Sequence, residues 1–87
     1  YSAFPNPFNP ATKIQYSLPI RGKVDLGVFD LQGRLVNKLV SSIQDPGLKT
    51  VEWNGKDDLG NSISSGVYFY KIESNNYVDS KKVIYIK

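Results

Sequence analysis

The chain reads as an all-β protein, an immunoglobulin-like or fibronectin type III-like antiparallel β-sandwich of about seven strands. Short runs alternate apolar and polar residues, turn-forming residues recur at roughly 8- to 12-residue intervals, and no stretch holds a helical apolar spacing over several turns.

The first run is Thr12 to Leu18, where Ile14, Tyr16 and Leu18 fall on one face and Lys13, Gln15 and Ser17 on the other. That period of two belongs to a strand with one buried face. Val24, Leu26 and Val28 repeat it, and Asp30-Leu31-Gln32-Gly33 supplies an Asx-type turn into a hairpin partner that begins at Arg34. In that partner Leu35-Val36 and Leu39-Val40 stand four apart, a spacing that fits one helical turn about as well as a bulged strand. We read it as a strand.

Asp45-Pro46-Gly47 breaks the chain before Leu48 to Asn54, in which Val51 and Trp53 share a face and Thr50 and Glu52 point away; Asn54-Gly55 then marks a tight turn. Gly66 to Glu73 contains Val67-Tyr68-Phe69-Tyr70-Lys71-Ile72, apolar on both faces and so suited to a central strand. Asn75-Asn76 makes the next turn. Tyr77 to Lys87 is the last strand, with Val83 to Ile86 set between lysines that guard a sheet edge. Tyr16, Trp53, Tyr68 and Tyr70 are the expected core anchors. Residues 1–11 form a proline-rich entry segment and residues 12–87 a single sandwich domain.

Composition fits this reading. A chain of 87 residues has room for one core, and 40% hydrophobic with 13% aromatic residues is too apolar for a disordered tail. With no Cys there are no disulfides, thiolate zinc sites or cysteine nucleophiles, and the redox compartment is left open. There is no Met either, so position 1 reads as a cut or processing point in a longer protein. No apolar run approaches the ~20 residues that span a bilayer, and the first residues lack the order of a signal peptide. The net charge of +3 is spread thinly apart from Lys81, Lys82 and Lys87, which argues against a nucleic-acid partner.

Catalytic chemistry has little to stand on. His and Cys are absent, and no phosphate-cradling glycine loop or carboxylate pair is recognisable. We expect no enzyme activity, no cofactor and no small-molecule substrate. Asp57 and Asp58 group oxygen donors that would suit a hard cation, but their loop lacks EF-hand spacing and reads as an Asp-rich turn. Ser62, Ser64 and Ser65 read as loop.

Four local patterns occur in order: Phe4-Pro5-Asn6-Pro7-Phe8-Asn9-Pro10 before the Ile14/Tyr16/Leu18-Pro19 strand; Val28-Phe29-Asp30 with Gly33-Arg34; Trp53-Asn54-Gly55-Lys56-Asp57 with Gly60; and Ser65-Gly66-Val67-Tyr68. Over nearly the whole chain they resemble the C-terminal sorting domain of type IX (Por) secretion substrates, a family related to the immunoglobulin-like domain of the flagellar hook-capping protein. The resemblance implies a monomeric, non-catalytic secretion signal, covalently linked to a cargo on its N-terminal side. It further implies passage via the periplasm to an outer-membrane translocon, a sortase-like peptidase as second partner, and a secreted or outer-membrane-surface location. Carried onto this chain, the recognition candidates are Pro5, Asn6 and Pro7, then Gly66, Val67 and Tyr68, then Lys81, Lys82 and Lys87.

Two other functions compete with sorting. One is an accessory spacer or carbohydrate-binding module of an extracellular glycoside hydrolase or other enzyme, with Phe29, Phe69 or Tyr85 as stacking platforms. The other is a structural part that stacks through its edge strands, as in a hook cap.

Overall fold

The computed structural model describes residues 3–4, 11–75 and 77–86. Its strands are β1 (Ala3–Phe4), β2 (Thr12–Leu18), β3 (Gly22–Phe29), β4 (Leu35–Gln44), β5 (Gly47–Trp53), β6 (Gly66–Ser74) and β7 (Tyr77–Tyr85). Six are long and β1 has two residues. All pair antiparallel, in a three-stranded sheet of order β1-β2-β5 and a four-stranded sheet of order β4-β3-β6-β7. Among the described residues no helix is long and apolar enough to cross a membrane.

The inner faces of the two sheets make one core, because a strand with a period-two apolar face must bury that face against another layer. Ile14, Tyr16 and Leu18 of β2 and Trp53 of β5 come from the first sheet. Val24, Leu26 and Val28 of β3, Tyr68, Tyr70 and Ile72 of β6, and Val83 and Tyr85 of β7 meet them from the second. Ala3 is buried in the same core, so the entry segment contributes both a strand and a core side chain.

The ambiguous segment is a strand with two irregularities. Leu26 pairs with Val40 and Gly27 with Lys38; Val28 pairs with Asn37 and Phe29 with Leu35. Leu39 and Val36 are therefore extra residues on β4, and each bulge advances the side-chain phase by one. As a result Val36, Leu39 and Val40 all pack toward the core from one strand, with the spacing of a helical face.

Loops absorb what the ladders leave unpaired. Asp30 Oδ1 accepts from the backbone N–H of Gln32 and of Arg34, both at 2.9 Å, and Gly33 N–H donates to the Asp30 carbonyl. These bonds, led by that from the Arg34 amide, hold the Asp30 carboxyl below the usual carboxylate range. Asp58 N–H donates to the carbonyl of the bulged Val36, and its Oδ1 accepts from Lys38 N–H at 2.9 Å. Asp57 Oδ1 accepts from the amides of Leu59 and Asn61. Both carboxylates thus tie the 57–61 loop to itself and to β4, and no group of three or more metal-ligating side chains occurs among the described residues.

Candidate recognition surface

Of the sequence candidates, Gly66 to Tyr68 and Lys81-Lys82 are brought together on the β6–β7 hairpin. Pro5, Asn6, Pro7 and Lys87 lie outside the described residues. Antiparallel pairing sets Gly66 opposite Tyr85, Val67 opposite Ile84, Tyr68 opposite Val83, Phe69 opposite Lys82 and Tyr70 opposite Lys81. The two lysines are exposed, while Tyr68 and Tyr70 are buried.

Gly66 opens β6 at φ +154°, a backbone conformation that side chains disfavour, and space is open around it. Two residues on, the Tyr68 ring meets Trp53 edge-on at 5.7 Å, and its hydroxyl donates to the Ser64 carbonyl at 2.7 Å. A strand-start tyrosine bonded to backbone a few residues upstream is the tyrosine corner of immunoglobulin-like sandwiches. Burial pushes the Tyr68 hydroxyl pKa up. Gly66 and Tyr68 therefore shape the start of the hairpin; the surface of this region is made by half-buried Val67 and by the lysines of β7.

β7 changes character along its length. Val83 and Tyr85 point into the core, and Tyr85 packs against Trp53 with ring centroids 6.4 Å apart. Gly55, at φ +73°, lies beneath that ring: a Cβ there would come within 2.8 Å of Tyr85 Cε1. Tyr77, Val78, Ser80, Lys81 and Lys82 are exposed. Within the sheet β7 pairs only with β6 among the described strands, which leaves it at the sheet's end.

The aromatic platforms expected on the surface need correction. Tyr85 is a core residue, because the Asn54-Gly55 turn lets its ring close over Trp53. Phe29 and Phe69 are half-buried cross-strand partners on the outer face of the four-stranded sheet, and Lys71 Nζ stands 5.1 Å from the Phe29 ring centroid. Periodicity could not place Tyr85, since Ile84, Tyr85 and Ile86 are all apolar and only the register with Gly66 decides which one points inward.

Sequence reasoning also missed a groove at the opposite side of the sandwich. Tyr16, Tyr70, Tyr77 and Asp79 contribute to a cavity of about 140 Å³ between β2 and β7. It adjoins a second cavity of about 360 Å³, bordered by Leu18, Ile20, Ser74 and Tyr77. Burial, with a smaller effect of the Asp79 charge, pushes the Tyr70 hydroxyl up to about 12, and the Ala3 backbone hydrogen-bonds to it. Serine is so ordinary on a strand that nothing marked Ser74 in advance.

With this geometry in hand, residues 2–87 match the family of secretion system C-terminal sorting domains, and the chain belongs to that family. The family is the sorting signal of type IX secretion, and directing an exported protein into that route is the function of this domain. Sorting domains of this family are in general non-catalytic. No curated protein sequence matches the chain.

Solved structures show the same fold. The latent, dimeric PorU of Porphyromonas gingivalis superposes with a TM-score of 0.75 at 22% identity, over 97% of this chain and 9% of that one. FlgD from P. aeruginosa gives 0.65 at 25% identity over 85% of this chain and 58% of its own. FlgD from Xanthomonas campestris, described with hook capping in flagellar assembly, gives 0.67 at 20% identity over 95% and 59%. The chain thus spans less than two thirds of each of these proteins, and under a tenth of the first.

Proposed function

We propose that this domain is a non-catalytic address label on the C-terminal side of a larger exported protein, read by an outer-membrane translocon through the exposed part of β7. The family supports the route and a translocon partner. The observation that carries the residue-level reading is the split in β7: Val83 and Tyr85 lock the strand into the core, while Ser80, Lys81 and Lys82 stay exposed at the end of a sheet. A strand held rigidly with its surface presented suits recognition by shape, backbone and charge. Pro5, Asn6 and Pro7 remain part of this proposal as a second contact, and Lys87 as a further basic residue of the first. A sortase-like peptidase would act on the joint between domain and cargo, and the cargo would reach the cell surface or the exterior.

The test must leave the core intact, so deletion from Lys82 onward is unsuitable: it removes Val83 and Tyr85. The better comparison fuses residues 1–87 to a periplasm-directed reporter in a type IX-competent host, alongside the Lys81→Glu/Lys82→Glu variant. We expect surface export of the parent fusion and a marked loss for the variant at unchanged Tm. Equal export of both would overturn the assignment to β7; no export of either would overturn the address label itself.

A further inference from the structure

We infer that Asp58 guards the edge of β4: it fills outward-facing hydrogen-bonding groups of that strand in the place of a neighbour, and so keeps β4 from pairing with β4 of a second copy of this chain. β4 and β7 are the two ends of the four-stranded sheet, and a sheet end offers unpaired N–H and C=O groups to any strand that approaches. β7 carries Asp79, Lys81 and Lys82, charges that oppose such pairing. β4, the longest described strand at ten residues, has Lys38 as its single charged side chain and no proline, and Ser41, Ser42 and Ile43 are exposed along it. With that one charge, a two-fold antiparallel β4–β4 pair centred on Ser41 would set no lysine against a lysine. Protection of this end therefore has to come from outside the strand.

Asp58 supplies it through two hydrogen bonds. Its N–H donates to the Val36 carbonyl at 3.0 Å, and its Oδ1 accepts from the Lys38 N–H at 2.9 Å. A single residue bonded to both flanks of Asn37 reproduces one rung of a parallel ladder, with the carboxylate standing where a strand would present its backbone carbonyl. Asp57 acts differently. Its Oδ1 takes the amides of Leu59 and Asn61, its N–H donates to the Asn61 carbonyl and its carbonyl accepts from Gly60, so the turn is closed within itself. Asp58 is exposed, and both of its bonds run to β4. Anchoring the loop does not require the Asp58 carboxylate, because the Asp58 amide and Asn37 Nδ2, which donates to the Lys56 carbonyl at 2.8 Å, already hold loop and strand together. What the carboxylate adds is cover for the Lys38 amide, between the bulges at Val36 and Leu39 that already twist this edge.

The test is sedimentation velocity of the 87-residue chain and three variants over a concentration series, with circular dichroism read on each. Asp58→Ala removes the acceptor and should dimerise at least about tenfold more tightly than the parent, with strand content unchanged. Asp58→Asn keeps an acceptor oxygen and should behave as the parent does. Asp58→Ala/Ser41→Pro should return to the parent's association. Ser41 pairs with Asp25 as Lys38 pairs with Gly27, two residues along β3, so the Ser41 N–H also points away from β3, and proline there removes an edge donor without breaking the ladder. Equal association of Asp58→Ala and the parent overturns the inference. So does an Asp58→Asn protein that associates as Asp58→Ala does, since the carboxylate's charge rather than its hydrogen bond would then be the guard. Association that persists with Ser41→Pro overturns it too, because the contact would lie off β4 or come from unfolded chain. Export is not read here, so this result and that of the address label are independent.

Discussion

The two sides of the sandwich solve the same problem differently. Around Trp53 the core is closed: Tyr68 and Tyr85 pack on the indole, its Nε1 donates to the Lys56 carbonyl at 2.9 Å, and Tyr68 donates to Ser64. Around Ser74 it is open: a buried hydroxyl has no partner among the described residues, a cavity reaches solvent, and Ile20 and Tyr77 are exposed. The closed side spends the hydrogen-bonding groups of its aromatic cluster within the fold. The open side keeps apolar area and a hydrogen-bonding group in reserve. A domain of this size is stabilised by only about 5–15 kcal/mol. One side must therefore hold the fold if the other is left unfinished.

Substitutions can break this contrast. Trp53→Ala should have the largest effect, about 3–5 kcal/mol by cavity formation and loss of the aromatic cluster, seen as a large fall in urea midpoint. A loss below 1 kcal/mol would remove Trp53 as the anchor. Gly55→Ala follows at about 1–3 kcal/mol, because the residue must adopt positive φ and its Cβ meets Tyr85. Restored stability in Gly55→Ala/Tyr85→Leu would show that the ring contact, rather than φ, dominates.

Alkali should act most strongly through Tyr70 on the open side. Tyr70 titrates near 12 in the folded protein against 10.0 for the ordinary side chain, chiefly because burial disfavours its phenolate. A folded pKa above the unfolded one means that stability is fully present below pH 10 and lost as pH rises toward 12. Urea midpoints should fall across that window, and Tyr70→Phe should flatten the slope.

The smallest effects give the sharpest contrast. Tyr68→Phe should cost about 1 kcal/mol, since it strands the Ser64 carbonyl. Ser74→Ala should lie within about 0.5 kcal/mol of neutral, or stabilise slightly, because it removes a hydroxyl that has no partner. Equal losses for the two hydroxyl deletions, measured by thermal unfolding, would erase the distinction between the sides.

Much of the architecture was legible locally. β2 and β3 keep a period of two through Ile14, Tyr16 and Leu18 and through Val24, Leu26 and Val28, β5 keeps it at Val51 and Trp53, and Asp30 and the Asn54-Gly55 pair mark their turns by side-chain chemistry that acts within a few residues. β4 was ambiguous for a reason that is now visible: two bulges give its inward residues a helical spacing, and bulges arise from pairing with β3 and from the Asp58 contacts. The candidate site was legible only as a set of segments. That Lys81 is exposed although it shares a face with Val83 and Tyr85 depends on where the opposing sheet ends.

By itself the sequence determined the strand periods, the turns, the absence of cysteine and histidine chemistry, and the family, because each is written in near neighbours or in ordered motifs. Tertiary structure alone decided that Tyr85 lies in the core, that Asp58 ties its loop to β4, and that Ser74 faces an open groove. Those outcomes depend on contacts between residues far apart in the chain, where register and sheet overlap, rather than residue type, set what each side chain meets.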